Sequence, residues 1–206
     1  TSVSRGLGDV YKRQNNINKI IKDLEIKFEF KLSNYEKEED SRKINTYQSL
    51  INAYSESIVE EAKKNKKIVA LDGDLILDTG LINFEKEFPD RFIECGIAEQ
   101  DMVSQAGSFA SEGYIPIVHS FSSFLTSRPN EQIYNNSTEG TKIIYSGFLA
   151  GLLPGGPGHS HQAVRDIASM SGINNLEMIQ PNSEKQVKEF LNLSLIHISE
   201  PTRHRG

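Results

Sequence analysis

Short apolar runs, each too brief for a helix and each closed by a polar or glycine-bearing tip, alternate along this chain with longer stretches of helical period. That alternation restricts the fold more than any other feature. Ile68 to Leu71 is ended by Asp72-Gly73-Asp74, which predicts a buried strand delivering polar residues at its tip. Arg91 to Glu94, Ile115 to Val118, Lys142 to Tyr145 and Leu176 to Ile179 predict further extended segments. Between them, Ile51, Tyr54, Ile58 and Ala62 recur at helical spacing as far as about Lys64, behind a capping box offered by Asn45 and Gln48. A second helix from Ala98 carries Met102, Val103, Ala106 and Ala110 on one face until Gly113 stops it. Glu131 to Asn136, Ala163 to Met170 and Ser183 to Leu193 predict helices, the last with Val187, Phe190 and Leu191 on its apolar side. Strands separated by helices need crossover connections, so the expected fold is α/β, a mainly parallel sheet with helices on both faces. Ligands of such sheets bind beyond the carboxyl ends of the strands.

The 206 residues, 37% apolar and 25% charged, suffice for one domain with a hydrophobic core. A formal net charge of -5 with scattered lysines argues against a nucleic-acid partner, since phosphate-binding surfaces need clustered Lys and Arg. No apolar run approaches the roughly 20 residues that span a bilayer, and no secretory signal pattern opens the chain, so a cytoplasmic protein is expected. Cys95 is the only cysteine, which removes an internal disulfide and weakens any cysteine-based metal site.

Residues 1–14 and 194–206 share no hydrophobic period with what they flank. Both resemble translated sequencing-adapter peptides and are set aside as fusion scars are, so neither end is expected to be a natural terminus. Residues 15–43, with the run Glu36, Lys37, Glu38, Glu39 and Asp40, read as a charged linker, which leaves 44–193 as the domain.

The most informative stretch is Phe88 to Gln100, FPDRFIECGIAEQ, where an extended piece leads through Gly96 into a helix whose first turn holds Glu99. A glutamate there is favoured by the helix dipole alone, by about 0.3–1 kcal/mol. Downstream, GYIPIVHSF is followed by SSFLTSRPNEQI, with Phe121 and Phe124 three apart, an arrangement that also suits core residues. A Gly-Pro-rich loop, Pro154 to Ala168, then carries His159, His161 and Asp166.

In this order the motifs resemble the pyrimidine-binding domain of transketolases and 1-deoxyxylulose-5-phosphate synthases, over roughly residues 44–193. The resemblance implies thiamine diphosphate as cofactor. It aligns Glu99 with the family glutamate that hydrogen-bonds N1' of the aminopyrimidine and favours the imino tautomer, whose exocyclic nitrogen takes the thiazolium C2 proton. Positioned proton transfers of this kind contribute on the order of 10²- to 10⁴-fold. Phe124 and Phe121 match the aromatic positions that stack and wall the ring, and Arg128 matches a recurrent arginine, with Pro129 and Asn130 in place of the usual small-aromatic pair. His161 aligns with a loop histidine that faces substrate, although two extra residues precede it. His159 shares the loop and His119 ends the preceding strand, so both are candidate substrate contacts. Asp74, at a strand tip, is a candidate cofactor contact. His159 and His161 together lack a third metal ligand, and no metal site is expected.

Family members bind the diphosphate through Mg²⁺ on another domain, marked by Gly-Asp-Gly and a downstream Asn. Asp72-Gly73-Asp74 does not fit that signature. The expected partner is therefore a diphosphate-binding domain on another chain or in flanking sequence, within a dimer or larger oligomer. The expected activity is transfer of two-carbon ketol units between sugars, inactive in this chain alone. Condensation of pyruvate with an aldehyde, or a non-catalytic dimerisation module, are the alternatives.

Overall fold

The computed structural model describes residues 49–152 and 157–196. Within them, α1 (Ser49–Lys64) leads into β1 (Ile68–Asp72), two short helices α2 (Ile76–Thr79) and α3 (Ile82–Glu87), and a 3-10 turn, Pro89–Arg91. There follow β2 (Phe92–Glu94), α4 (Glu99–Ser111), β3 (Ile115–Phe121), α5 (Ser122–Leu125), α6 (Asn130–Thr138) and β4 (Ile144–Phe148). The described region ends with α7 (Asp166–Met170) and α8 (Glu184–Ile196). The sheet has strand order β2-β1-β3-β4, and every ladder is parallel. This is the α/β fold expected from the sequence.

Period-two alternation along the central strands divides the core into two layers. Ile68, Ala70 and Ile117 point toward α1, α3 and α8, where they meet Tyr54, Ile58, Phe84, Val187 and Leu191. Val69, Leu71 and Val118 point the other way, onto Met102, Val103 and Ala106 of α4, Leu125 of α5 and Ile133 of α6. Arg91 closes the α1 end of the first layer. Its guanidinium donates to the carbonyls of Ala62 and Asn65 at 3.1 and 3.2 Å while lying 4.0 Å over the Phe88 ring. It thus satisfies carbonyls that a helix C-terminus leaves without partners.

Several boundaries differ from the sequence expectation. The helices α2 and α3 were not anticipated, because α2 is set by one buried carboxylate and α3 by the burial of Leu81 and Phe84, and neither by periodicity. Asp72 accepts from Leu75 N at 2.6 Å and from Thr79 Oγ1 at 2.8 Å. Gly80 then ends α2 at φ 73°, where a Cβ would press on Ile51 and Ser55 of α1. The strand expected over Lys142–Tyr145 begins at Ile144, since the Lys142 ammonium turns aside to the Leu195 carbonyl at 2.7 Å. That contact belongs to α8, which runs on to Ile196, beyond the Leu193 boundary. The helix expected from Ala163 starts at Asp166, because Ala163 pairs with Gly151 in an isolated antiparallel bridge. Leu176–Ile179 joins no ladder among the described residues; Leu176 packs on the second layer while Met178 and Ile179 are exposed. The capping box at Asn45 and Gln48 lies outside the described residues.

A polar row crosses the sheet near its carboxyl edge, where Glu94, Asp72, His119 and Ser146 stand at one register level. His119 is fully buried beneath α1, with Nε2 2.7 Å from Tyr54 Oη and Nδ1 3.0 Å from the Leu71 carbonyl. Burial pulls its pKa down to about 4 and pushes Asp72 up to about 6. The two have opposite linkage. His119 contributes stability that is full above its ordinary value of 6.5 and lost as pH falls toward 4. Asp72 contributes stability that is full below 3.8 and lost as pH rises through 6. Each is worth about 3 kcal/mol, so they nearly cancel in between. Asp72→Asn should therefore expose the histidine alone. Chemical denaturation of that variant should show a loss of about 3 kcal/mol between pH 6.5 and 4, against a flatter profile for the native chain; parallel profiles would refute the balance.

Gly107 lets α4 approach α6 closely. A Cβ there would overlap Asn136 Oδ1, and Asn136 is held by Nδ2 bonds to the Val103 carbonyl and Tyr145 Oη at 3.0 and 3.3 Å. Gly107→Ala should cost about 1–3 kcal/mol in thermal unfolding. A melting temperature equal to that of the native chain would show that the helices can part.

Candidate functional site

Each strand of a parallel sheet releases its chain at the same edge, and the chemically distinctive side chains gather there. Glu99 is the first residue of α4 and is 4% exposed, so a charged side chain is carried into the interior from a helix N-terminus. Its partner is Arg128, whose Nη1 lies 2.5 Å from Glu99 Oε1. The same guanidinium lies over the Phe124 ring, its central carbon 3.8 Å from the centroid.

Phe124 belongs to α5, which begins directly after Phe121 ends β3, so strand and helix set the two rings at 5.7 Å. His161 meets both, edge-on to Phe124 at 4.9 Å and tilted to Phe121 at 6.1 Å. Three contacts hold the His161 loop in that place. Ala163 N donates to the Gly151 carbonyl at 2.7 Å, His161 N to the Gly158 carbonyl at 3.1 Å, and Ser122 Oγ to Asp166 Oδ2 at 3.2 Å. Ser160 Oγ adds a contact of 3.0 Å to His161 Nδ1.

The structure thus brings together Glu99, Arg128, Phe124, Phe121 and His161. It sets three other sequence candidates apart. His119 needs correction as a substrate contact: β3 continues to Phe121, which puts His119 inside the ladder on the α1 face, with both ring nitrogens engaged. His159 is exposed in the loop, and His161 is the histidine that touches the rings. Asp74 is exposed at φ 64°, its N–H donating to Glu94 Oε1 at 2.9 Å. Glu94 also accepts from Gly96 N at 2.7 Å, which ties the β1 tip to the turn leading into Glu99. Sequence reading missed that tie, and the pairing of Arg128 with Glu99, which lies 29 residues away along the chain. The Pro-Gly stretch 153–156 of the loop lies outside the described residues. Cys95 is half-buried, and burial together with Glu94 and Asp101 pushes its thiol up to about 11, which keeps it protonated and unreactive.

Among the described residues no cluster of three His, Cys, Asp or Glu side chains could hold a metal, and no helix is long and apolar enough to cross a membrane. The donor set suits instead a flat, nitrogen-bearing ring: a phenylalanine face for stacking beside a buried carboxylate that can accept an N–H in the ring plane.

A parallel α/β sheet flanked by helices, with these side chains gathered at its carboxyl edge, defines the class of domain. The chain belongs to the family described as the transketolase, pyrimidine binding domain, which matches residues 47–203. It is homologous to both transketolases and 1-deoxy-D-xylulose-5-phosphate synthases, a superfamily that uses thiamine diphosphate. It is 32% identical over 164 residues to 1-deoxy-D-xylulose-5-phosphate synthase of Natranaerobius thermophilus, covering 80% of this chain and 26% of that protein. Among solved structures, "Split gene transketolase, inactive beta4 tetramer" is similar at a TM-score of 0.62 and 31% identity, over 71% of this chain and 47% of that one. Transketolase from Leishmania mexicana shares the fold at a TM-score of 0.64 and 18% identity, over 72% of this chain and 23% of that one. The chain therefore spans between about a quarter and a half of these relatives' length.

The contact between the loop and the rings is directly measurable. Phe124→Leu should move the His161 ring-proton resonances toward their free-histidine positions, by loss of the ring current from 4.9 Å. Unchanged shifts would place His161 elsewhere in solution.

Proposed function

We propose that this domain is the pyrimidine-binding half-site of a thiamine-diphosphate-dependent enzyme of transketolase type, one that moves two-carbon ketol units between sugars. The observation that carries this reading is the buried carboxylate of Glu99 beside the Phe124 face, a pairing that a purely structural helix start does not need.

Thiamine diphosphate supplies, when bound, a carbon acid that serves as nucleophile and electron sink. The chain's own residues would do the rest. Phe124 and Phe121 would hold the aminopyrimidine by its face and edge, which fixes its plane without directional bonds. Glu99 would hold a proton at the ring nitrogen in that plane, from a site closed to bulk water on the side of α4. His161, in the loop over the rings, would face the substrate and exchange a proton with its hydroxyl groups. Asp74 and His159, exposed near the same edge, remain candidate contacts of cofactor and substrate, and Arg128, on Glu99 and over Phe124, lies where the cofactor's ring would sit.

The diphosphate and its Mg²⁺ would be held by a second domain, on a partner chain or in flanking sequence. The similar split-gene transketolase, whose beta4 tetramer is inactive, supports this division. The similarity to 1-deoxy-D-xylulose-5-phosphate synthase supports a second reading in which the same half-site serves condensation of pyruvate with an aldehyde. A cytoplasmic location suits both.

The test is hydrogen exchange at the cofactor's C2 position, followed by NMR, with the chain assembled on a Gly-Asp-Gly-bearing diphosphate domain. Glu99→Gln keeps an oxygen to accept from Arg128 and should melt as the native chain does, while exchange falls at least about 100-fold. Undiminished exchange in that variant would overturn the role of Glu99. Turnover of a ketose with an aldose acceptor, against turnover of pyruvate with an aldehyde, separates the two reactions.

A further inference from the structure

We propose that Arg128 is a stand-in for the aminopyrimidine, its guanidinium taking the ring face and the carboxylate that the cofactor uses, and that the two exchange places on binding. The proposal rests on the pyrimidine-binding reading above and adds to it a competitor built into the chain.

Three observations point to exchange in preference to simple support. First, the guanidinium makes both contacts at once, 2.5 Å to Glu99 and 3.8 Å over Phe124. His161 meets Phe124 edge-on and Phe121 meets it tilted, while the guanidinium carbon lies over the ring at 3.8 Å from its centroid. A second flat group cannot take that face at stacking distance while the guanidinium is there. Second, the chemistry matches. A guanidinium and an aminopyrimidine are both planar, with N–H donors set in the plane of a conjugated carbon-nitrogen frame, and each can stack on a phenyl ring while donating to a carboxylate.

Third, the two partners differ in freedom to move. The Glu99 side chain is 5% exposed and the Arg128 side chain 41%. Arg128 also lies in the turn between α5 and α6, where its backbone N–H donates to the Phe124 carbonyl at 2.9 Å and its neighbour Pro129 is buried. The side chain can therefore swing into solvent with its backbone fixed, and no core residue has to follow. Until it does, a buried carboxylate keeps a donor, which avoids the cost of leaving it unpaired. The consequence is that ring binding is measured net of a broken ion pair and a broken stack, and apparent affinity is reduced by the fraction of time Arg128 is seated.

The experiment uses the full chain, isotopically labelled, and the probe 4-amino-5-hydroxymethyl-2-methylpyrimidine, titrated by NMR against native, Arg128→Gln and Arg128→Lys proteins. The expected result is that Arg128→Gln binds the probe about 5-fold tighter than the native chain, and that in the native chain the probe removes the ring-current shift on the Arg128 Nε proton. Arg128→Lys keeps the charge but not the plane. It should bind tighter than native by a smaller factor, and it covers the case in which loss of the ion pair unfolds the glutamine variant. A merely structural arginine would weaken binding when replaced. Equal or weaker binding by both variants would overturn the proposal and leave the pyrimidine site standing, with Arg128 as one of its ligands. If none of the three proteins binds at the solubility limit of the probe, the pyrimidine reading fails and the proposal with it.

Discussion

The ladder between β1 and β3 is the contact on which the rest of the molecule is hung. It pairs Ile68 with Ile115 and runs to Asp72 opposite His119, and of these residues only Ile115 is not buried. Because the strands are parallel, their tips emerge together, and chain segments far apart in sequence arrive at one edge without further guidance. Glu99 follows β2, Phe124 follows β3 and His161 follows β4. Their meeting is a property of topology before it is one of side-chain attraction.

Register makes that meeting unique. A slip of one residue along β3 would carry His119 out from under Tyr54 and set Ser120 in its place, reversing every side chain of the strand. Asp72 and His119 penalise the slip, since their side-chain partners Thr79 and Tyr54 stand on the α1 face. Next along the same face, Phe121 and Phe148 stand opposite each other. Phe121 therefore inherits its place beside Phe124 from a row of hydrogen bonds one step back in the strand.

Much of this was legible in the residues. The spacing of Ile51, Tyr54, Ile58 and Ala62 marks α1, and Met102, Val103 and Ala106 mark the buried face of α4, because a periodic apolar stripe has only one way to leave water. The motif order around Glu99, Phe124 and His161 was legible through family resemblance. What escaped was set by contacts distant in sequence. Nothing local to residues 75–87 announces α2, which depends on the Asp72 carboxylate, or α3, which depends on the burial of Leu81 and Phe84. His119 lies in a stretch whose pattern permitted either a strand end or a strand interior, and two more residues of ladder decided the matter. Leu176–Ile179 has the composition of a strand, but composition cannot supply a neighbour.

The bridge between Gly151 and Ala163 has a consequence for how such a loop can change over time. It closes the excursion at its base, and downstream of His161 the chain is fixed again by Asp166 on Ser122. Closure entropy grows only with the logarithm of length, each doubling costing about 0.6 kcal/mol, so two inserted residues cost far less than that. Length can then drift upstream of the histidine while its placement against the rings is conserved, and the loop becomes a place where specificity is free to diversify without re-engineering the chemistry beneath it.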